Sequence, residues 1–287
     1  MEEISRGWFS ASTYPVAMGT GPIIAAGTPA QKEHYLPGIA RGEIITAFGL
    51  TEPEAGSDAS NLQTLAHSDG DGYVLNGQKI FITNAHIANV ILTFAKTDPE
   101  AERGQGVSIF LVDKESPGLK VGQRFRTLAH EANPIWEVIY DNCRVPANAL
   151  LGEEGESFSY MRVGFAKTRA LYAARCVGLA QAALDYAAKY AQERRQFGQA
   201  IGRFQGIRFK LADMATKIEA ARHLVYRVST LVDQASPEAP SIASMAKLFA
   251  SDIAMEVTMD AVQILGGHGY TVDHPVERYF REAKLLQ

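Results

Sequence analysis

Apolar side chains recur at alternating steps of four and three residues along one stretch of the C-terminal half of the chain. This spacing forms a heptad stripe, and it predicts one long helix packed inside a bundle rather than a free coiled coil. The stripe consists of Ile207, Leu211, Met214, Ile218, Ala221, Val225, Val228 and Val232.

Helix-breaking residues follow this stripe. Residues 236–240 read Ser-Pro-Glu-Ala-Pro, so the first helix ends there, and a second long helix is predicted from about Ser241 to Leu265. Gly266 and Gly267 then supply a left-handed cap. Because the helical period begins near Glu153, we predict a helical bundle over residues 151–287.

The helical period is absent from residues 44–150, where turn residues recur instead. Asn76-Gly77 lies between two apolar runs and predicts a two-residue β-hairpin turn. Residues 107–112 and 135–140 are predicted as further strands. This part of the chain is therefore predicted to be a β domain.

Residues 1–43 predict a helix, a loop and a second helix. Thr28 and Gln31 have the spacing of a capping box, and Pro29 occupies the first helical position. We expect the second helix to end near Pro37-Gly38.

Composition excludes several classes of function. The 287 residues carry a net charge of −4 and are 46% hydrophobic, so the chain can bury a large core but offers no basic surface for nucleic acid. No apolar run approaches the ~20 residues of a membrane-spanning helix. Cys143 and Cys176 stand far apart without metal-ligand spacing, which favours a reducing compartment, and we predict the cytoplasm.

A loop at residues 50–58, Leu-Thr-Glu-Pro-Glu-Ala-Gly-Ser-Asp, is the first candidate for chemistry. Its hydroxyls and glycine suit a polar, planar or anionic ligand, although an ordinary Pro/Gly turn explains the same residues. Strict alternation along the nearby strand places Phe81 and Thr83 on one face, opposite Ile80 and Ile82. An aromatic plane beside a hydroxyl could hold a flat ring, and a half-buried strand face is the alternative.

Adjacent arginines, Arg194 and Arg195, form the second candidate. A guanidinium group suits phosphate, and a solvated helix end is the alternative. The Gly-Gly-His-Gly segment at residues 266–269 does not follow a strand and is not a dinucleotide-binding fingerprint. The seven histidines show no metal-ligand spacing, so no metal site is expected.

Four segments, taken in order, resemble motifs of the acyl-CoA dehydrogenase family of flavoproteins. They are residues 48–58 (FGLTEPEAGSD), 77–84 (GQKIFITN), 194–205 (RRQFGQAIGRFQ) and 263–270 (QILGGHGY). The resemblance implies an α+β fold with a helical N-terminal part, a middle β-barrel or β-sandwich domain and a C-terminal helical bundle. It divides the chain into a remnant of the N-terminal helical domain at residues 1–43, the middle domain at 44–150 and the bundle at 151–287.

The resemblance also implies which residues bind FAD and acyl-CoA. Ser57 and Arg169 are the implied substrate contacts, whereas Ala166 stands where an aspartate is common in the family. The residues from Arg194 onward are expected to bind the FAD of a neighbouring subunit. The implied cofactor-binding residues are Phe48, Leu50, Thr51, Gly56, Ser57, Phe81, Ile82, Thr83, Arg194, Gln196, Phe204, Gln205, Gln263, Ile264, Gly266 and Gly267.

The implied reaction is FAD-dependent α,β-desaturation of an acyl-CoA thioester by a homotetramer, a dimer of dimers that serves fatty acid metabolism. Electrons would pass to an electron-transfer flavoprotein or another acceptor. The family's usual catalytic glutamate is expected in a segment beyond Gln287, and the position of an alternative glutamate in some relatives is Thr168, so no catalytic residue is assigned here. A flavin-binding subunit without a base and a flavin oxidase of the same fold are the alternative functions.

Overall fold

The structure is a computed structural model that describes residues 15–287. The part of the predicted N-terminal helical region at residues 1–14 lies outside the described residues. The chain divides into two compact units, the first ending at Gly164 and the second running from Phe165 to Gln287. The predicted three-part division at residues 43 and 150 stays a prediction.

Short helical elements open the described part of the first unit. They are a π-helical turn (Pro15–Thr20), α1 (Gly21–Ala26) and α2 (Pro29–Ala40). The capping box of α2 is confirmed, because the Thr28 hydroxyl accepts from the Gln31 amide and the Gln31 side chain accepts from the Thr28 amide. The Gln31 side chain also donates to the carbonyls of Asn148 and Leu150, at 2.8 and 2.9 Å, and so ties α2 to the end of the β region.

Helix α2 continues through Pro37 to Ala40, two residues past its predicted end at Pro37-Gly38. The Pro37 carbonyl still accepts from the Arg41 amide at 3.1 Å, so the last turn of the helix is retained. Gly42 has φ +74°, a conformation that glycine adopts without steric conflict. The chain therefore leaves the helix at Gly42 rather than at the proline.

Within the described residues, eight strands form the sheet of the first unit. Their order is β6-β7-β3-β2-β4-β5-β8, and β1 pairs in parallel with β4. The predicted strands at residues 107–112 and 135–140 are confirmed as parts of β5 and β7. The strands are β1 (Thr46–Gly49), β2 (Leu65–Asp69), β3 (Gly72–Thr83), β4 (Val90–Lys96), β5 (Val107–Asp113), β6 (Leu119–Phe125), β7 (Ile135–Pro146) and β8 (Leu150–Leu151).

The prediction of a hairpin turn at Asn76-Gly77 is wrong. Residues 72–83 form one continuous strand, and the hairpin lies at residues 70–71, between β2 and β3. Strand β7 pairs with β3 on both sides of Gly77, with a bulge in β7 between Tyr140 and Cys143. The Asn76 side chain accepts from the Asn142 amide inside that bulge at 2.8 Å. The Asn-Gly pair therefore accommodates a bulge in the partner strand instead of reversing the chain.

Gly77 also permits a close approach between two parts of the backbone. Its φ is +153°, and a Cβ atom there would lie 2.5–2.7 Å from atoms of Thr64. Any side chain at residue 77 would consequently push Thr64 away from β3.

Long helices build the second unit. They are α3 (Ser157–Glu193), which begins in the first unit, α4 (Gln205–Asp233), α5 (Ala239–Leu265) and α6 (Val276–Leu286). A two-stranded ribbon, β9 (Arg195–Gln196) and β10 (Gln199–Ala200), and a 3₁₀ turn (Ile201–Arg203) connect α3 to α4. A second 3₁₀ turn (Gly266–Tyr270) follows α5.

The predicted heptad stripe lies on the inner face of α4. Five of its members are buried, namely Met214, Ile218, Ala221, Val225 and Val228. The other three are partly buried and pack against the same core, to which α3 and α5 contribute many alanines. Gly266 follows α5 with φ +61° and ψ −136°, so the predicted glycine at the helix end is present. The predicted left-handed cap is wrong, because this ψ lies outside the left-handed helical region and Gly267 has no positive φ. No helix in residues 15–287 is long and apolar enough to cross a membrane.

We predict that Gly77→Ala lowers the free energy of unfolding of the first unit by about 1–3 kcal/mol, because it combines backbone strain with a clash at Thr64. The matched control is Gly21→Ala at the start of α1, where a Cβ atom meets nothing within 4 Å. This control substitution should alter the free energy of unfolding by no more than about 0.5 kcal/mol. Urea unfolding measures both, and equal stabilities for the two variants would contradict the role given to Gly77.

Candidate functional site

Two of the segments singled out in the sequence meet in the first unit. The loop at residues 50–58 follows β1, and its Thr51 carbonyl accepts from the Ile80 amide of β3 at 2.9 Å. The ammonium group of Lys79, the residue before Ile80 in β3, donates to the Leu50 carbonyl at 3.3 Å. The loop therefore runs directly against the segment that carries Phe81 and Thr83.

A buried ion pair reinforces this junction. The Lys79 ammonium group lies 2.6 Å from a Glu52 carboxylate oxygen, and the two side chains are 0% and 2% exposed. The same carboxylate accepts from the backbone amides of Gln63, at 2.5 Å, and Thr64, at 3.0 Å. Three stretches of chain thus converge on one carboxylate. Neither charged residue is recognisable as part of a site from the sequence alone, although both lie within the quoted motifs.

Burial and charge act in opposite directions on this pair. Desolvation lowers the pKa of Lys79 to about 8, although the neighbouring Glu52 charge and hydrogen bond act to raise it. Desolvation acts to raise the pKa of Glu52, but the Lys79 charge and the hydrogen bonds from Lys79 and the Gln63 amide outweigh it. The net pKa of Glu52 is lowered, so the folded chain favours its ionised form.

Strand β3 contains a bulge immediately after Lys79. Lys79 pairs with Val138, whereas Ile82 pairs with Trp136, so three steps along β3 correspond to two along β7. Lys79 and Ile82 therefore share the buried face, and the predicted strict alternation is wrong between them. An extra residue in one strand, which periodicity alone does not reveal, accounts for the difference.

The bulge places Phe81 in an unusual conformation. Its φ is +58°, which is uncommon for a residue with a side chain, and strain of this kind costs about 1–3 kcal/mol and concentrates at functional sites. The ring is 51% exposed and meets Phe125 edge to face, with 4.9 Å between the ring centres. The neighbouring Ile82 is 2% exposed and belongs to the core of the sheet. An aromatic ring is thus held at the surface beside the half-buried Thr83.

The remaining predicted residues of this unit surround the same junction. Phe48 lies in β1 and packs on Phe94, and Leu50 and Thr51 are half-buried. Gly56 and Ser57 are exposed, beyond a turn that is closed by reciprocal hydrogen bonds between Glu52 and Ala55 at 3.1 and 3.2 Å.

Three hydroxyl groups around this junction are available to a ligand. Within the described chain, no hydrogen bond uses the side-chain hydroxyl of Thr51, Ser57 or Thr83. Hydroxyls can both donate and accept, as the polar edge of a flavin ring requires. Together with the exposed face of Phe81, this donor set fits a flat, polar ring system.

In the second unit, Arg194 directly follows α3. Its guanidinium group is exposed and enters no ion pair among the described residues, whereas Arg195 donates to the Gly198 carbonyl at 3.2 Å. Phe197 and Gly198 both have positive φ and form the two-residue turn of the ribbon. The side chain of Gln196 is exposed, so Arg194 and Gln196 both offer polar groups to a ligand.

The two remaining predicted segments of this unit lie at one end of the bundle. Lys210, early in α4, pairs with Asp260, late in α5, so the start of α4 lies beside the end of α5. Phe204 and Gln205 are at that start, and Gln263, Gly266 and Gly267 are exposed at that end. The Ile264 side chain instead lies in the bundle core and is 4% exposed, which leaves its backbone for any ligand contact.

The predicted substrate residue Arg169 lies on α3, half-buried, with its guanidinium carbon 5.4 Å from the centre of the Phe165 ring. Ala166, where the family commonly has an aspartate, is part of the apolar core. Thr168 is 8% exposed, so a glutamate at this position would place a longer, charged side chain in a buried environment.

Across residues 15–287, no group of three or more His, Cys, Asp or Glu side chains is placed to hold a metal ion.

Comparison with known proteins extends these findings. Sequence models of the acyl-CoA dehydrogenase N-terminal, middle and C-terminal domains match residues 1–43, 47–143 and 155–287. An acyl-CoA dehydrogenase of Bacillus subtilis (strain 168) is 47% identical over 271 residues, which cover 94% of this chain and 71% of that protein.

Solved structures resemble this chain over nearly its whole length. Butyryl-CoA dehydrogenase from Megasphaera elsdenii superposes with a TM-score of 0.91 at 42% identity, over 95% of this chain and 71% of that one. A structure described as an electron transferring flavoprotein of Acidaminococcus fermentans contains a chain with a TM-score of 0.91 at 48% identity, which covers 96% of this chain and 72% of that one.

We predict that Glu52→Gln lowers the free energy of unfolding by roughly 3–5 kcal/mol near neutral pH, because it leaves the buried Lys79 without its counter-charge. Since the pKa of Glu52 is lowered in the folded chain, its contribution is present above the ordinary glutamate pKa of about 4.3 and is lost as pH falls through the folded value.

The stability difference between parent and variant should therefore narrow as the pH falls below about 4.3. Urea unfolding of both proteins over a pH series measures it, with Glu54→Gln at the exposed neighbouring position as the control. A difference that stays constant down to acid pH would show that Glu52 is not ionised in the folded protein.

Proposed function

The chain belongs to the acyl-CoA dehydrogenase family, whose members are oxidoreductases, and from this membership we propose that it binds FAD and catalyses the α,β-desaturation of an acyl-CoA thioester. One observation carries the proposal beyond family membership. The loop at residues 50–58 and the bulged end of β3 come together around unpartnered hydroxyls and an exposed aromatic ring.

We assign the flavin ring to this junction. Thr51 and Thr83 offer hydroxyls to its polar edge, and Phe81 offers an aromatic face. Backbone groups and side chains around them complete the contact surface, which also includes Phe48, Leu50, Gly56, Ser57 and Ile82. When bound, FAD supplies the two-electron acceptor for the hydride that leaves the β-carbon of the substrate.

The chain's own residues bind and orient the acyl-CoA. Ser57, at the exposed end of the loop, and Arg169, on α3, are the proposed substrate contacts. Hydrogen bonds to the thioester oxygen stabilise the negative charge that develops as the α-proton leaves. A carboxylate must accept that proton, and we assign no residue among 1–287 to this role.

The exposed groups of the second unit are proposed to bind the FAD of a neighbouring subunit. They are Arg194, Gln196, Phe204, Gln205, Gln263, Ile264, Gly266 and Gly267. This assignment requires a homo-oligomer, which we propose to be a dimer of dimers. The similarity to a chain in an electron transferring flavoprotein structure supports such a flavoprotein as electron acceptor. Cys143 and Cys176 are both free and buried, which supports a cytoplasmic location.

We predict that Arg194→Ala weakens FAD binding by about 1.5–3 kcal/mol, since it removes a charge-assisted contact to phosphate. This corresponds to a dissociation constant about 10- to 150-fold higher. Arg195→Ala is the matched control, because it removes the same charge from the adjacent position. The Arg195 side chain already donates to the Gly198 carbonyl. Titration of the apoprotein with FAD measures both, and equal losses would reject the assignment of Arg194.

We predict that adding acyl-CoA to the intact, FAD-loaded protein without oxygen bleaches the visible flavin band. Butyryl-CoA is the first substrate to test, because a butyryl-CoA dehydrogenase is among the similar structures, and longer and branched acyl-CoAs follow. The enoyl-CoA product is identified by mass.

If no acyl-CoA bleaches the flavin band of the FAD-loaded protein, the proposed activity is contradicted and a binding subunit is supported. Rapid reoxidation of the bleached flavin by oxygen would instead identify an oxidase.

A further inference from the structure

We propose that the buried ion pair of Glu52 and Lys79 is a positioning device for the flavin site, holding Thr51 in one place relative to Phe81 and Thr83. This inference rests on the proposed binding of FAD. Both side chains are cut off from solvent, at 2% and 0% exposure, so they act through the backbone they hold rather than by touching the cofactor.

The contacts of Lys79 bracket Thr51. Its ammonium group donates to the Leu50 carbonyl at 3.3 Å and to the Glu52 carboxylate at 2.6 Å, and these are the residues on either side of Thr51. The next residue of β3, Ile80, donates its amide to the Thr51 carbonyl at 2.9 Å. Phe81 follows directly. Leu50, Thr51 and Glu52 are therefore each hydrogen-bonded to one of the two residues of β3 that precede the strained Phe81.

Glu52 extends the same restraint to a third stretch of chain. Its carboxylate accepts from the amides of Gln63 and Thr64. Thr64 can approach because residue 77 is glycine, where a Cβ atom would lie 2.5–2.7 Å from Thr64. One carboxylate thus fixes the inner side of the loop, while Pro53, Glu54, Gly56 and Ser57 are exposed.

Stability alone does not explain such a pair. Exchanging both members of a buried ion pair for neutral side chains of similar size is often neutral or stabilising, whereas removing one member leaves an unpaired buried charge. The pair instead fixes the position of the loop, because hydrogen bonds donated by an ammonium group constrain where the loop lies and apolar contacts do not. A loop without these bonds must be ordered when FAD binds, and that ordering lowers the affinity.

The decisive comparison is between Lys79→Met and the double variant Glu52→Gln with Lys79→Met. Three quantities are measured: the melting temperature of the apoprotein, the dissociation constant for FAD, and the visible spectrum of the flavin at saturating FAD. The single variant should lose both stability and affinity. The double variant should recover most of the melting temperature yet bind FAD at least about tenfold more weakly than the parent, with a shifted flavin spectrum.

Lys120→Met is the matched control. Lys120 pairs with Asp141 at 3.2 Å in the same unit, but both side chains are largely exposed. An exposed pair contributes little, so this variant should match the parent in all three measurements.

The inference is overturned if the double variant regains parental affinity together with its melting temperature, because the pair is then merely structural. A double variant that does not fold also overturns it, since the pair would then be needed for stability. A parent protein that binds no FAD contradicts the proposed function itself. A parent and a double variant that bind FAD equally well contradict this inference alone.

Discussion

The ammonium group of Lys79 is completely buried, and the chain around it is arranged to satisfy that charge. A buried cation without a partner is so unfavourable that the loop after β1 must bring Glu52 and the Leu50 carbonyl to it. This one requirement places the loop at residues 50–58 against the end of β3. Thr51, a proposed flavin contact, lies between the two residues that Lys79 contacts. Its position therefore follows from the need to neutralise the buried Lys79 charge.

The irregular backbone of β3 depends on the same arrangement. Lys79 and Ile82 both reach the buried face only because the strand bulges between them, and Phe81 takes a positive φ within that bulge. A regular strand would turn either the lysine or Ile82 outward. The strain at Phe81 and the burial of Lys79 are therefore two consequences of one irregularity, and together they present an aromatic ring beside a loop of hydroxyls.

The features that depend on residues close together in the chain were predictable from the sequence. The stripe of α4 was predictable because burial of one helix face imposes a period, and the capping box at Thr28 because it involves residues three apart. The continuous strand through Asn76-Gly77 was not predictable, since the pairing of β7 on both sides of Gly77 overrides the local preference of this pair for a turn. The burial of Lys79 was equally hidden, because a lysine in a motif is ordinarily a surface residue and its partner lies 27 positions away.

The claim that the loop and the end of β3 form one flavin-binding surface is tested most directly by hydrogen–deuterium exchange with and without FAD. We predict that the Ile80 amide is already protected in the apoprotein, because it donates to the Thr51 carbonyl. We also predict that peptides spanning residues 48–58 and 77–84 gain further protection together when FAD is added. Protection that appears in only one of these segments, or in neither, would contradict it.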